Sequence, residues 1–126
     1  MICTYNRSHF LQKVLGSLCN QSLSQSRFEV VVVDDGSSDE TKDIVMSFVD
    51  KLPLRYFYQE NAGLAAAKNS AIEAANGPIV VFRDDDDLAS PRLLEEHLRT
   101  HNRYPDSNYA VLGYTNLAAI SGSPNQ

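Results

Sequence analysis

The chain has 126 residues, 43% hydrophobic and 21% charged, which fits one ordinary domain with one core and excludes a disordered tail, a collagen and a coiled coil. Its formal charge of −5, from 11 basic and 16 acidic residues, makes it a poor general binder of nucleic acid backbones. Apolar runs such as 30–33 are far too short to cross a bilayer. No basic-then-apolar leader is read at the N-terminus. The two cysteines, Cys3 and Cys19, lack metal-type spacing and read as buried, reduced thiols of a cytoplasmic protein.

In chain order, residues 2–5 read as the end of a short strand. Residues 8–20 show helical spacing, with Phe10, Leu11, Val14, Leu15 and Leu18 on one face and Ser8 as N-cap. The β-branched run 28–33 is the pattern of a strand buried on both faces. Turn chemistry follows at 34–39. Ser38 or Asp39 then caps a helix expected over 40–51, with Ile44, Val45, Phe48 and Val49 inward, ended by Pro53. Residues 54–58 alternate as a strand, and 61–63 form a loop. Residues 64–75 make an alanine-rich helix closed by Asn76 and Gly77. A second buried apolar strand is expected at 79–82, running into Asp84, Asp85, Asp86 and Asp87. Pro91 opens a helix through about Arg103, with Leu93, Leu94 and Leu98 inward, and a last strand is expected at 109–114. The tail 121–126 has loop composition. We expect one domain, 1–126, that is part of a longer chain.

This β-α alternation argues for a mainly parallel sheet with helices on both faces, a three-layer, Rossmann-like α/β/α arrangement. Ligands of such sheets bind beyond the carboxyl ends of the strands. Tyr5, the Asp34-Asp35 pair and the four aspartates 84–87 all fall there. Four adjacent carboxylates repel one another unless a cation neutralises them, and hard divalent ions such as Mg²⁺ and Mn²⁺ take carboxylate oxygens. The plain alternative is a solvated acidic loop that caps the next helix. Asp35 can accept a ring N–H of a nucleobase, while residues 36–39 read as turn and cap. Tyr5 can stack on a base or simply pack. Lys68 offers a point charge for phosphate, although most helical lysines are merely solvated. His9, His97 and His101 read as surface residues. Neither the Gly-rich dinucleotide pattern nor the Walker pattern is present.

Taken together, the stretches 2–7 (ICTYNR), 31–39 (VVVDDGSSD), 59–69 (QENAGLAAAKN) and 77–87 (GPIVVFRDDDD), followed by Pro91, resemble the inverting family 2 glycosyltransferases with the GT-A fold. The resemblance covers about 1–101. It implies a nucleotide-diphosphate sugar as donor, Mn²⁺ or Mg²⁺ as cofactor, and transfer to an acceptor hydroxyl of a sugar, lipid or protein. It implies that Tyr5 stacks near the base, that Asp35 holds the base N–H, and that 84–86 is the D-x-D element. Asp86 would then bind the metal, and Asp84 or Asp85 the ribose or sugar. A UDP-sugar is the donor expected first, although guanine and thymine carry the same N–H as uracil. The family often has arginine where Lys68 stands, and Lys68 would contact the diphosphate as a charge without a planar fork. The family's general base lies in the half that follows the nucleotide-binding half, so it is expected beyond Gln126. Two other readings stay open: a non-catalytic sugar-nucleotide-binding module, and a phosphorelay receiver, whose acids would have to follow its first and third strands.

Overall fold

The structure, a computed structural model, describes residues 1–115. Its sheet is built on β2 (Val30–Asp34), every residue of which is buried. Stiff β-branched side chains suit a pleat covered on both faces. β1 (Ile2–Thr4) pairs with it in parallel, Ile2 opposite Val32 and Thr4 opposite Asp34. β3 (Leu54–Tyr58) pairs in parallel on the other edge, from Val30 opposite Leu54 to Asp34 opposite Tyr58.

The remaining elements are helices: α1 (Ser8–Leu18), α2 (Thr41–Met46), α3 (Leu64–Ala74) and α4 (Leu93–Arg103). α1 buries Leu11, Val14, Leu15 and Leu18, which join Val45, Phe48 and Leu52 against Ile2, Val30 and Val32. On the opposite face, Ala67 and Ala71 of α3 pack on Val31 and Val33. The alternation of Val30–Val33 therefore supplies both cores, and the three-layer expectation holds. Small alanine side chains let α3 lie close to the sheet. Phe10 departs from its expected place on the buried face of α1 and is half exposed.

The segment 79–83 is not the expected strand. It meets the free edge of β1 at one parallel bridge, Ile2 opposite Arg83. The Arg83 N–H donates to Met1 O (3.0 Å), and the Met1 amino group donates to Val81 O (2.7 Å). That one bridge is the only ladder pairing of 79–83 among the described residues, and an apolar sequence alone does not make a strand. The expected strand at 109–114 is also not formed. Tyr109, Leu112 and Tyr114 are exposed, with no sheet edge beneath them among the described residues.

Helix ends differ too. Ser8 is the first residue of α1, not its cap; its N–H is taken by the Asp39 carboxylate (3.0 Å). Asp39 also accepts from the Thr41 N–H (3.0 Å), so one carboxylate serves two helix starts. α2 stops at Met46, and the Ser47 hydroxyl donates back to Ile44 O (2.6 Å), a bond that competes with helix continuation. Phe48 and Leu52 still reach the core through turns, while Val49 faces solvent.

Spatial order is β3-β2-β1 followed by 79–83. The chain winds outward from β1 in one direction, then returns to the other side of β1. That reversal is a topological switch point, where such sheets open a crevice for ligands.

Candidate functional site

At the carboxyl ends of the strands lies a cleft of about 470 Å³, lined among others by Thr4, Tyr5, Arg7, Asp35, Gly63 and Asp84–Asp86. Tyr5 ends β1 and is half exposed. Asn6 follows with φ 51°, a left-handed conformation that asparagine tolerates better than most residues. Two bonds hold it: its N–H donates to Ser37 Oγ (2.8 Å), and its side-chain oxygen accepts from the Ser38 N–H (2.7 Å). The turn after β2 thus fixes the turn after β1.

Asp34 and Asp35 divide the work at the end of β2. Asp34 is structural and fully buried; it accepts from the Ser37 N–H (2.8 Å) and the Tyr56 hydroxyl (2.7 Å). Burial, then this carboxylate, pushes the Tyr56 phenol well above its usual range. Asp35 is 5% exposed and is more engaged than its sequence position suggested. Its Oδ1 accepts from Gln59 Nε2 (2.7 Å) and the Ala62 N–H (3.0 Å), and its Oδ2 from the Gly63 N–H (2.9 Å). Burial raises its pKa, but these three donors outweigh burial and leave it below the usual value. Oδ2 accepts one bond and keeps a lone pair for a ligand in the cleft. Gly36 is required here. Its φ is +88°, and an added Cβ would meet Asn61 N at 2.8 Å, so a side chain would push the 59–63 loop away.

The four aspartates meet four environments. Asp84 is exposed. Asp85 is 7% exposed, accepts from the Thr4 hydroxyl (2.8 Å) and lies 3.2 Å from Arg7 Nε. Its pKa is raised by burial, against the pull of Thr4 and Arg7 and with the push of Asp86 and Asp84. The Asp86 side chain is 46% exposed and is paired to an Arg7 terminal nitrogen at 2.5 Å. Asp87 is paired with Arg83 (3.1 Å), whose other terminal nitrogen donates to Asp87 O (2.7 Å). Two arginines therefore relieve the repulsion that a metal alone was expected to relieve. Lys68 lines an adjoining crevice with Cys3, Leu64, Phe82 and Asp84.

Tyr5, Asp35, Asp84, Asp85 and Asp86 thus share one cleft, and Lys68 stands beside it. Thr4, Arg7 and the 59–63 loop were missed, because each is recruited by contacts distant in sequence. The expectation of surface histidines holds for His9 and fails at His97 and His101, both half buried; the His97 pKa is lowered by burial, then by His101 and Arg83. Cys3 and Cys19 are free thiols, half buried rather than fully so. A second, apolar cavity of about 230 Å³, between Val30, Ile79, Val81 and Leu98, lies at the opposite ends of the strands. No helix among the described residues is long and apolar enough to cross a membrane.

A parallel sheet with a carboxylate-lined crevice at its switch point defines a ligand-binding α/β protein. The sequence profile of the family described as "Glycosyl transferase family 2" matches residues 1–118, and the chain belongs to that family. It is 41% identical over 103 residues to validoxylamine A glucosyltransferase of Streptomyces hygroscopicus subsp. jinggangensis, covering 80% of this chain and 24% of that protein. It is 36% identical over 98 residues to the poly(ribitol-phosphate) beta-N-acetylglucosaminyltransferase TarS of Staphylococcus aureus, covering 76% of this chain and 17% of that protein. The chain therefore spans about a quarter or less of the length of these curated relatives. Among solved structures, S. aureus TarS 1–349 in complex with UDP superposes with TM-score 0.79 at 29% identity, over 90% of this chain and 37% of that one. The mannosyltransferase PcManGT of Pyrobaculum calidifontis, in complex with GDP-Man and Mn²⁺, superposes with TM-score 0.68 at 34% identity, over 72% of this chain and 28% of that one. The fold is GT-A, as expected. The family assignment removes the phosphorelay receiver. The acids follow β2 and 79–83 instead of the first and third strands, and β3 ends at Tyr58, followed by Gln59.

Proposed function

We propose that this chain is the donor-binding part of an inverting glycosyltransferase that takes a nucleotide-diphosphate sugar, a UDP-sugar first, with Mn²⁺ or Mg²⁺. The observation that carries the reading is the convergence of Tyr5, Asp35 and Asp84–Asp86 on one cleft at the switch point. Tyr5 offers an exposed ring for a base to stack on. Asp35 is a fixed, ionised acceptor for a ring N–H, and uracil supplies one. Asp84 or Asp85, in the same cleft, would accept from ribose or sugar hydroxyls. Lys68 offers charge to the diphosphate from the side crevice.

The residues fit a divalent cation of the oxygen-seeking kind. Asp86 presents an exposed carboxylate beside Asp84 and Asp85. Among the described residues no three His, Cys, Asp or Glu side chains form a cage. That is the situation of Mg²⁺ sites completed by substrate phosphates. A cation held by Asp86 supplies positive charge to a leaving diphosphate. Relatives support this reading: one solved neighbour was captured with UDP and another with GDP-Man and Mn²⁺.

Calorimetric titration of UDP, with and without Mn²⁺, into wild type and Asp86→Ala tests it. Wild type should bind UDP more tightly with Mn²⁺. Asp86→Ala should lose that dependence while keeping its far-UV spectrum, because a rim carboxylate contributes little packing. UDP affinity that ignores Mn²⁺ in wild type, or Mn²⁺ dependence that survives in Asp86→Ala, overturns the assignment.

A further inference from the structure

The acidic cluster already holds a cation of its own. Arg7 immediately precedes α1, and its side chain is 42% exposed. Its Nε lies 3.2 Å from Asp85 Oδ1, and a terminal nitrogen lies 2.5 Å from Asp86 Oδ2. Its guanidinium carbon sits 4.9 Å from the centre of the Phe10 ring, which explains why that ring stays at the surface. The backbone beneath it is fixed, since Asn6 is bonded to Ser37 and Ser38 and the Ser8 N–H to Asp39. The side chain is free to change partners, while the residue that carries it is not.

Arg7 and a divalent cation would compete for the same Asp86 oxygen. They differ in where Arg7 can go. It lines the same cleft as Tyr5 and Asp35, and a guanidinium matches a diphosphate as well as it matches carboxylates. We propose that Arg7 is a displaceable counter-ion. It balances Asp85 and Asp86 when no donor is bound, and it yields Asp86 to the metal when a diphosphate arrives to receive the guanidinium. Metal and nucleotide are thereby coupled: each binds weakly alone, and each strengthens the other by the same factor. This rests on the reading that Asp86 takes the metal. Arg7 is a positioning residue in this scheme, since it sets the availability of a metal ligand.

Two measurements test it. Mn²⁺ binding is followed by electron paramagnetic resonance of the free ion, with and without UDP, in wild type, Arg7→Lys and Arg7→Met. Arg7→Met should bind Mn²⁺ alone about three- to tenfold more tightly, because a competing cation is gone. The strengthening by UDP should shrink by at least that factor, and Arg7→Lys should fall between. A merely structural role would weaken Mn²⁺ binding or leave it unchanged, and either result overturns the proposal. Nitrogen-edited NMR of the Arg7 Nε–H in wild type, which needs no variant, should show the resonance move when Mg²⁺ and UDP are added together. An unmoved resonance at saturation also overturns it. Tight UDP–Mn²⁺ binding that is indifferent to Arg7 removes this inference and leaves the donor site standing. No Mn²⁺ binding to wild type, with or without UDP, removes both.

Discussion

Asp35 and Asp86 stand on the same rim in opposite physical conditions. Asp35 is buried, accepts three hydrogen bonds and carries a depressed pKa. It closes a rigid frame in which the turn after β2, the 59–63 loop and the start of α3 hold one another. Asp86 is half exposed and bound to one long, exchangeable side chain. It sits on a segment that joins the sheet by a single β-bridge. On the proposed reading, the β2 side is finished before any ligand arrives and the 79–87 side is completed by metal and diphosphate. Base recognition would gain from that preorganisation, while metal and diphosphate would enter and leave together.

The largest effect should follow from breaking the finished side. Asp35→Ala removes the acceptor of three donors, and hydrogen bonds to a charged group contribute about 1.5–3 kcal/mol. Chemical denaturation should show a stability loss of that order, because the freed Ala62 and Gly63 N–H groups can be met by water. UDP affinity should fall at least about tenfold, since a base N–H loses its charged partner. Asp86→Ala should leave the denaturation midpoint unchanged. A variant pair that behaved the other way round would mean that the rigid and adaptable sides have been exchanged.

The next test uses pH. Asp35, Asp39 and Glu29 all have carboxyls below their usual values. In each, hydrogen bonds from backbone or side-chain donors win over burial, which pushes the other way. A depressed carboxylate contributes stability above its unfolded pKa, about 3.9–4.3. That stability is lost as pH falls through the lower folded value. Asp85 has the opposite sign. Burial raises its pKa, so its charged form costs stability above the unfolded value, and protonation on acidification relieves the cost. Asp35→Asn should therefore lower the melting temperature at pH 7, losing on the order of 1 kcal/mol. Asp85→Asn should leave it unchanged or raise it. The gap between the two should narrow as pH falls, first as Asp85 protonates and then, below about pH 4, as Asp35 loses its advantage, which calorimetric scans across that range would show. A lower melting temperature in Asp85→Asn at pH 7 would make Asp85 a structural anchor like Asp35.

The same contrast marks what was legible in the sequence. The valine run, the alanine-rich helix and the amphipathic α1 carry their answers locally, so β2 was readable as buried on both faces, α3 as a helix, and α1 with its core face apart from Phe10. The strands expected at 79–82 and 109–114 had the composition of strands. A ladder needs a partner strand, however, and strand pairing is not a local property. The candidate site divides likewise. Tyr5, Asp35 and the aspartates are readable because carboxylates and a ring at strand ends are costly without a purpose. Arg7 is invisible that way: a single arginine after a strand resembles any solvated cation until Asp85 and Asp86 fold against it. Asp39 capping α1 and Asp35 tethering the 59–63 loop are hidden for the same reason.

The smallest effect belongs to Tyr5. Its ring is 49% exposed and is not part of either core, so Tyr5→Ala should leave the denaturation midpoint within about 0.5 kcal/mol, as for surface substitutions generally. In binding, the variant gives up one stacked face. Base–aromatic stacking is worth about 1–3 kcal/mol by alanine substitution, and water covers part of the exposed ring's contribution here, so the lower end applies. UDP affinity should fall about three- to tenfold, less than for Asp35→Ala, and Tyr5→Phe should restore it because stacking needs the ring and not the hydroxyl. Mn²⁺ dependence should persist in both variants, since Tyr5 touches the finished side of the cleft and leaves Asp86 alone. A Tyr5→Ala loss larger than that of Asp35→Ala would place the nucleoside anchor on the exposed ring. A Tyr5→Phe protein no better than Tyr5→Ala would mean that the hydroxyl, reaching toward the ligand, does what is here ascribed to the ring.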